Sequence, residues 1–159
     1  MAFYQFKTEQ VLPAEMNEVW KFISSPANLK KITPSYMGFN ITSEVPKAMY
    51  QGLIVTYKVT PLLGIKTDWM TEITHIKEGE YFVDEQRVGP YSLWHHQHHL
   101  EPIKEGVLMK DIITYAPPMW LLGILANKLI IKRKLKEIFE FRRQALVQEF
   151  GEAPIGMAV

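Results

Sequence analysis

Phe82-Val-Asp-Glu-Gln-Arg-Val-Gly-Pro-Tyr-Ser-Leu-Trp-His-His-Gln-His-His-Leu100 is the stretch on which the reading of this chain turns. It reads as two β-strands joined at Gly89-Pro90, and because strand side chains alternate between faces, parity sorts them. In the first strand Glu85 and Arg87 fall on one face, with Phe82, Asp84, Gln86 and Val88 on the other. In the second, one face holds Trp94, His96, His98 and Leu100, leaving His95 and His99 outward. A third strand, Val107 to Tyr115, places Val107, Met109, Asp111, Ile113 and Tyr115 on a single face. Three neighbouring strands therefore direct polar groups inward among aromatic and aliphatic ones. Burying such groups is costly unless they are satisfied, so the patch is either a core network or the lining of a pocket.

The register follows from the loops. Putting both apolar-rich faces on one side of the sheet requires an odd loop, Gly89-Pro90-Tyr91, which sets Asp84 opposite His96 and Gln86 opposite Trp94. A turn spanning Ile103 to Gly106 sets His98 opposite Asp111. Opposed residues lie close enough to interact. Two carboxylate–imidazole pairs on one inward face are expected, and a slip of one residue would abolish both.

The 159 residues suit one domain with a substantial core, expected over 1–150, followed by a flexible tail at 151–159. A net charge of +1 gives no electrostatic basis for nucleic-acid binding. The absence of cysteine excludes disulfides and thiol catalysis. Met1-Ala-Phe-Tyr-Gln-Phe-Lys7 lacks the features of a secretory signal, and the longest apolar run, Met119 to Ala126, is too short to span a bilayer. A cytoplasmic location is expected, with no stable membrane insertion. Nothing in the sequence speaks to oligomeric state.

Outside the opening stretch, Ala2 to Leu12 alternates and reads as a first strand. Met16, Val19, Trp20 and Ile23 then fall at helical spacing, and Ser25-Pro26 starts a second short helix ending near Lys31. Further strands are expected at Phe39 to Val45, Leu53 to Thr60 and Ile65 to Ile76, the last with Trp69 and Ile73 inward. Pro117-Pro118 launches a long helix, about Met119 to Phe150, with Leu135, Ile138, Phe139, Arg142 and Leu146 on its stripe and Arg142-Arg143 mostly outward. The fold class is α+β: a seven-stranded antiparallel sheet curled around a long C-terminal helix, with two short helices between the first two strands. A cavity between sheet and helix is the natural place for a ligand.

This order resembles the START/Bet v 1-like (SRPBCC, helix-grip) superfamily. The resemblance is carried by Leu12-Pro-Ala-Glu-Met-Asn-Glu-Val-Trp-Lys-Phe-Ile-Ser-Ser-Pro-Ala-Asn-Leu29 and Ile32-Thr-Pro34. Asp84, Gln86, Gly89-Pro90-Tyr91, Trp94, His96 and His98, then Met109, Asp111, Tyr115 and Pro118, are similar to the motifs of a bacterial branch of that superfamily. The resemblance implies a ligand cavity but no particular reaction, since the superfamily includes hormone and lipid binders, transfer proteins and aromatase/cyclases. Fold alone does not fix function.

Three readings of the inward pairs follow: a satisfied core network, the polar floor of a cavity, or a His held by Asp as general acid or base for dehydration or cyclisation. The expected function is binding of a small hydrophobic or aromatic molecule, more a binder than an enzyme. Trp69, Trp94, Met109, Ile113 and Tyr115 are the expected walls, with Asp84, Gln86, His96, His98 and Asp111 the floor. His96, His98 and Asp111 offer two imidazoles and a carboxylate, but no fourth ligand is evident, so neither metal nor cofactor is expected. Leu62 and Leu63, at a hairpin tip, are expected to form a lip at the cavity mouth or a transient membrane contact, with Met119 to Leu125 opposite. On that lip rests a further alternative, a lipid-transfer or interaction protein. No glycine-rich phosphate loop or Gly-x-Ser-x-Gly elbow occurs.

Overall fold

A computed structural model describes residues 2–62, 64–117 and 130–153 of the chain, without the side chains of Pro61 and Leu62. Its seven strands are β1 (Tyr4–Leu12), β2 (Asn40–Ile41), β3 (Ile54–Leu62), β4 (Ile65–Lys77), β5 (Tyr81–Val88), β6 (Leu93–Ile103) and β7 (Gly106–Ala116). They form one antiparallel sheet in the order β1-β7-β6-β5-β4-β3-β2. Only the β1–β7 pairing joins strands distant in sequence, so the rest is a meander built on short turns. Gly106 lets the β6–β7 turn close against β1. With φ of +130° it sits where a Cβ would meet the Leu12 carbonyl oxygen.

Helix α1 (Met16–Ile23) buries Val19, Phe22 and Ile23, and Trp20 meets Phe82 edge-on at 6.1 Å between ring centroids. Its successor is a 3-10 helix, Pro26–Lys30, followed by another at Ser35–Met37. Five residues between Ser25 and Lys31 are too few for a stable α-helix. The expected strand Phe39 to Val45 shrinks to Asn40–Ile41, because the N–H groups of Thr42 and Ser43 both turn to the Thr56 carbonyl.

Helix α2 (Lys132–Phe150) lies across the concave face. Its buried residues Leu135, Phe139, Arg142 and Leu146 recur every three or four positions, the spacing of a single helical stripe. Arg142 thus faces inward, correcting the expectation that it points mostly outward. Two apolar clusters fill the space beneath the helix. One gathers Leu12, Val19, Ile73, Phe82, Met109 and Leu146, the other Trp69, Ile113, Tyr115, Ile131, Leu135 and Phe139. Leu146 is 1 % exposed, so truncating it to alanine should cost roughly 2–5 kcal/mol.

The lips expected at Leu62-Leu63 and Met119 to Leu125, the start of the long helix and most of the tail lie outside the described residues or side chains. Among the described residues no helix is long and apolar enough to cross a membrane.

Candidate functional site

The β5–β6–β7 register places Asp84 opposite His96 and His98 opposite Asp111. The side chains then reach past their opposed partners. His96 Nε2 lies 2.8 Å from Asp111 Oδ1, and His98 Nε2 lies 2.8 Å from Asp84 Oδ2. Diagonal neighbours across a sheet are within reach of long side chains, and the imidazoles use that reach. The opposed contacts also persist: His98 Nδ1 is 2.9 Å from Asp111 Oδ1, and His96 Nδ1 is 3.5 Å from Asp84 Oδ2. From α2, Arg142 donates through Nη1 to Asp111 Oδ1 at 3.0 Å. Two separate pairs were expected. One five-membered network is found.

It lies between the two apolar clusters. His98 stacks on Phe82, with centroids 4.1 Å apart and planes at 16°, while His96 presents its edge to Trp94 and Phe139. His96, His98, Asp111 and Arg142 are each less than a tenth exposed. Among the described residues no buried side-chain polar atom lacks a partner. Buried ionic groups are tolerated on that condition.

Charge is apportioned unevenly within the network. Burial, and then the neighbouring His98, push the His96 imidazole down to about 4. Burial also disfavours charge on His98, but hydrogen bonds to Asp111 and Asp84 outweigh it and raise its pKa. Ring centroids 3.7 Å apart leave no room for a second imidazolium. Burial alone would raise both carboxyls. For Asp111 it is overcome by Arg142 and the two histidines, for Asp84 mainly by His98, and both end below the usual range. With His98 protonated and His96 neutral, two carboxylates face two cations and the buried set is neutral.

Beside the network, a cavity of about 180 Å³ separates the sheet from α1, the 3-10 helices and α2. Asp84, His96, His98 and Arg142 form its polar floor. An aromatic wall faces them: Tyr57 stacks on Trp69 at 6.0 Å, and Trp94 meets Trp69 edge-on at 5.4 Å. Aliphatic contributions come from Val55, Val59, Ile73, Leu135 and others. A second polar point lies on that wall, where Thr71 Oγ1 accepts the Trp69 indole N–H (3.0 Å) and shares a hydrogen bond with the Tyr57 hydroxyl (2.9 Å). Burial, then Asp84, raises the Tyr57 pKa and keeps that hydroxyl protonated. The partly exposed lining residues Asn28, Thr33, Lys134 and Ile138 mark the mouth.

Of the residues proposed from sequence, Trp69, Asp84, Trp94, His96, His98 and Met109 line this cavity. Asp111, Ile113 and Tyr115 are buried on the same sheet face but lie outside the lining. Asp111 supports the floor from behind. Gln86 is a correction: its amide donates to the Tyr91 carbonyl (2.7 Å) and accepts the Tyr91 N–H (3.2 Å), clamping the Gly89-Pro90 turn. Gly89 permits that clamp, since a Cβ there would strike the Gln86 side chain. Val88 is a further correction. A bulge shifts the β4–β5 register between Thr71↔Gln86 and Met70↔Val88, turning Val88 to solvent. Sequence reasoning missed Thr71 and Tyr57, and set Arg142 on the helix stripe yet mostly outward. Arg142 was findable, because its place on the Leu135–Phe139–Leu146 stripe requires burial whatever its charge.

No family model and no curated protein matches the chain. Solved structures do. A protein of Chromobacterium violaceum, CV1439, is 14 % identical, with 92 % of this chain and 97 % of that one covered and a TM-score of 0.70. The solution structure of an Arthrobacter aurescens protein is 15 % identical, covering 98 % of this chain and 92 % of that one, with a TM-score of 0.66. Ara h 8.0201 is 14 % identical, with 92 % and 99 % covered and a TM-score of 0.59. At such identities the likeness concerns the fold alone, a seven-stranded antiparallel sheet and C-terminal helix in a helix-grip arrangement.

Proposed function

We propose that this protein binds a small hydrophobic or aromatic molecule between the sheet and α2. The observation that carries the reading is a cavity of about 180 Å³ with aromatic and aliphatic walls and its charged groups gathered on one floor. Ligand sites typically combine apolar walls with a few placed polar groups. An apolar cavity of about 150 Å³ holds benzene, so this one suits a molecule of one or two rings. A polar substituent would point to the His96–His98 floor or to the Tyr57–Thr71 hydroxyls. The Asp-x-Gln-x-x-Gly-Pro-Tyr and Trp-x-His-x-His segments, similar to those of a bacterial SRPBCC branch, supply residues of this floor and its supporting turn.

A second reading is favoured by one feature: both floor imidazoles are held by carboxylates, as in a general acid–base pair. Under it the same ligand would be a substrate for dehydration or cyclisation. Mass spectrometry of an organic extract of the purified protein tests the binding reading, with Val55→Phe, which fills the cavity from β3, as the comparison. A stoichiometric apolar compound, absent from the variant, is the expected result. Equal yields from both proteins would overturn it. Conversion of that compound by the wild type, lost in His98→Ala, would establish the enzyme instead.

A further inference from the structure

Asp111 and Asp84 play different parts around the two imidazoles. Asp111, buried beneath the rings, is in contact with one nitrogen of each: Nε2 of His96 at 2.8 Å and Nδ1 of His98 at 2.9 Å. Arg142 fixes that carboxylate from α2 at 3.0 Å. Asp84 meets the other nitrogens, Nε2 of His98 at 2.8 Å and Nδ1 of His96 at 3.5 Å, and lies with both histidines on the cavity wall. A neutral imidazole has one N–H and one lone pair. Asp111 engages Nε2 of His96 at 2.8 Å, which leaves Nδ1 as the nitrogen on the Asp84 side. That nitrogen lies 3.5 Å from Asp84 Oδ2.

Two imidazole nitrogens and a carboxylate gathered at one point of the cavity wall suit a cation. Donor atoms about 2.1 Å from one ion stand about 3.0 Å apart at right angles and about 3.4 Å apart at tetrahedral angles. The observed 2.8 and 3.5 Å bracket those spacings, and Asp84, His96 and His98 each offer a ligand atom within 4.8 Å of the others'. We propose that Asp84, His96 Nδ1 and His98 Nε2 form a binding site for a divalent first-row transition ion, zinc in the first instance, with Asp111 as the carboxylate that orients both imidazoles from behind. Any proton on His98 Nε2 or His96 Nδ1 leaves to solvent as the ion binds. Each histidine then donates its remaining N–H to Asp111, the arrangement that fixes ring orientation in metal sites generally. The remaining coordination positions open on the cavity, from which the ion also enters.

In this geometry the two carboxylates exchange roles, and the donor count changes. Asp111, the carboxylate first considered as a ligand, becomes the positioning residue, and Asp84 replaces it. A fourth protein ligand is not required, because two imidazoles and one carboxylate with open positions form a recognised donor set for such ions. The inference is independent of the apolar ligand: a metal can bind whether or not the cavity holds an organic molecule.

The test is a calorimetric titration of the chelator-treated full chain with Zn²⁺, repeated with Co²⁺ and followed by visible absorption. One ion per chain is expected. Asp84→Asn and His96→Ala should weaken binding by about 100-fold or more, and Asp111→Asn by about 10- to 100-fold with the Co²⁺ spectrum of the site retained. The double variant His75→Ala/His99→Ala, which removes outward imidazoles, should bind as the wild type. Should the floor variants not fold, nuclear magnetic resonance of the wild type decides: Zn²⁺ should shift the ring signals of His96 and His98 saturably, leaving those of His75, His95 and His99 in place. Absence of saturable binding, shifts confined to the outward histidines, or floor variants that bind undiminished would overturn the proposal.

Discussion

Strands β5 and β6 carry acids and imidazoles on both faces, and the two faces put them to different use. Outside, Glu85 meets His95 at 2.7 Å and Arg87 at 3.2 Å, with Arg87 also bound to Glu72 at 2.6 Å, all at side chains a quarter to nearly a half exposed. Inside, one residue away along the same strands, Asp84, His96 and His98 join Asp111 of β7 and Arg142 of α2 in a network at similar distances. Asp84 is only partly exposed on the cavity wall, and the other four are buried. Separation therefore does not distinguish them. Solvent does: exposed ion pairs are worth about 0–1 kcal/mol, whereas removing one partner of a buried set strands charge and costs about 3–5 kcal/mol.

Matched deletions of one acid from each face sharpen this comparison. Asp111→Ala leaves Arg142 and two imidazoles buried without their shared acceptor, and should lower unfolding stability by about 3–5 kcal/mol in urea. A loss below about 1 kcal/mol would mean that water reaches the inner network and the contrast is void.

Acidification of chelator-treated protein attacks the same face. Unfolded His96 takes up a proton near pH 6.5, whereas the native imidazole holds out to about 4. Stability should therefore fall as pH drops through that window, by on the order of 3 kcal/mol, and fall further as the lowered carboxyls of Asp84 and Asp111 are protonated. His98 has the opposite sign. Its raised pKa contributes stability that is complete below the unfolded value and is lost as pH rises through the folded one. A flat profile between pH 4 and 6.5 in urea midpoints would contradict the burial of His96.

Gln86 belongs to neither network. Gln86→Ala should cost roughly 1–3 kcal/mol by freeing both backbone groups of Tyr91, with no change in organic ligand content. Loss of ligand at unchanged stability would return Gln86 to the cavity floor. The smallest effect belongs to Glu85→Ala, below about 1 kcal/mol and reduced further by salt. A cost equal to that of Asp111→Ala would erase the difference between the faces.

How much of this was legible beforehand depends on backbone periodicity. Parity and loop length set which residues of β5, β6 and β7 face inward, and the Asp84↔His96 and His98↔Asp111 register agrees with them. Those properties depend on the strand repeat alone. Side-chain reach was not legible: the crossing of His96 to Asp111 and His98 to Asp84 depends on rotamers chosen by Phe82, Trp94 and Phe139 around them. The bulge that turns Val88 outward inserts a residue without altering composition, so it leaves no trace in an alternation pattern. Arg142 was misread for another reason. Its place on the stripe and the outward reading of Arg142-Arg143 conflict, and Asp111, the inward carboxylate on β7, decides for the stripe.

The proposed function stands on the cavity, and the cavity admits a direct test. Titration of isotopically labelled protein with naphthalene, followed by nuclear magnetic resonance, should give saturable one-to-one shifts at the Trp69 and Trp94 indoles and the Val55, Val59 and Ile73 methyls. Shifts only at exposed Phe3 and Ile65, or none that saturate, would contradict a ligand chamber between the sheet and α2.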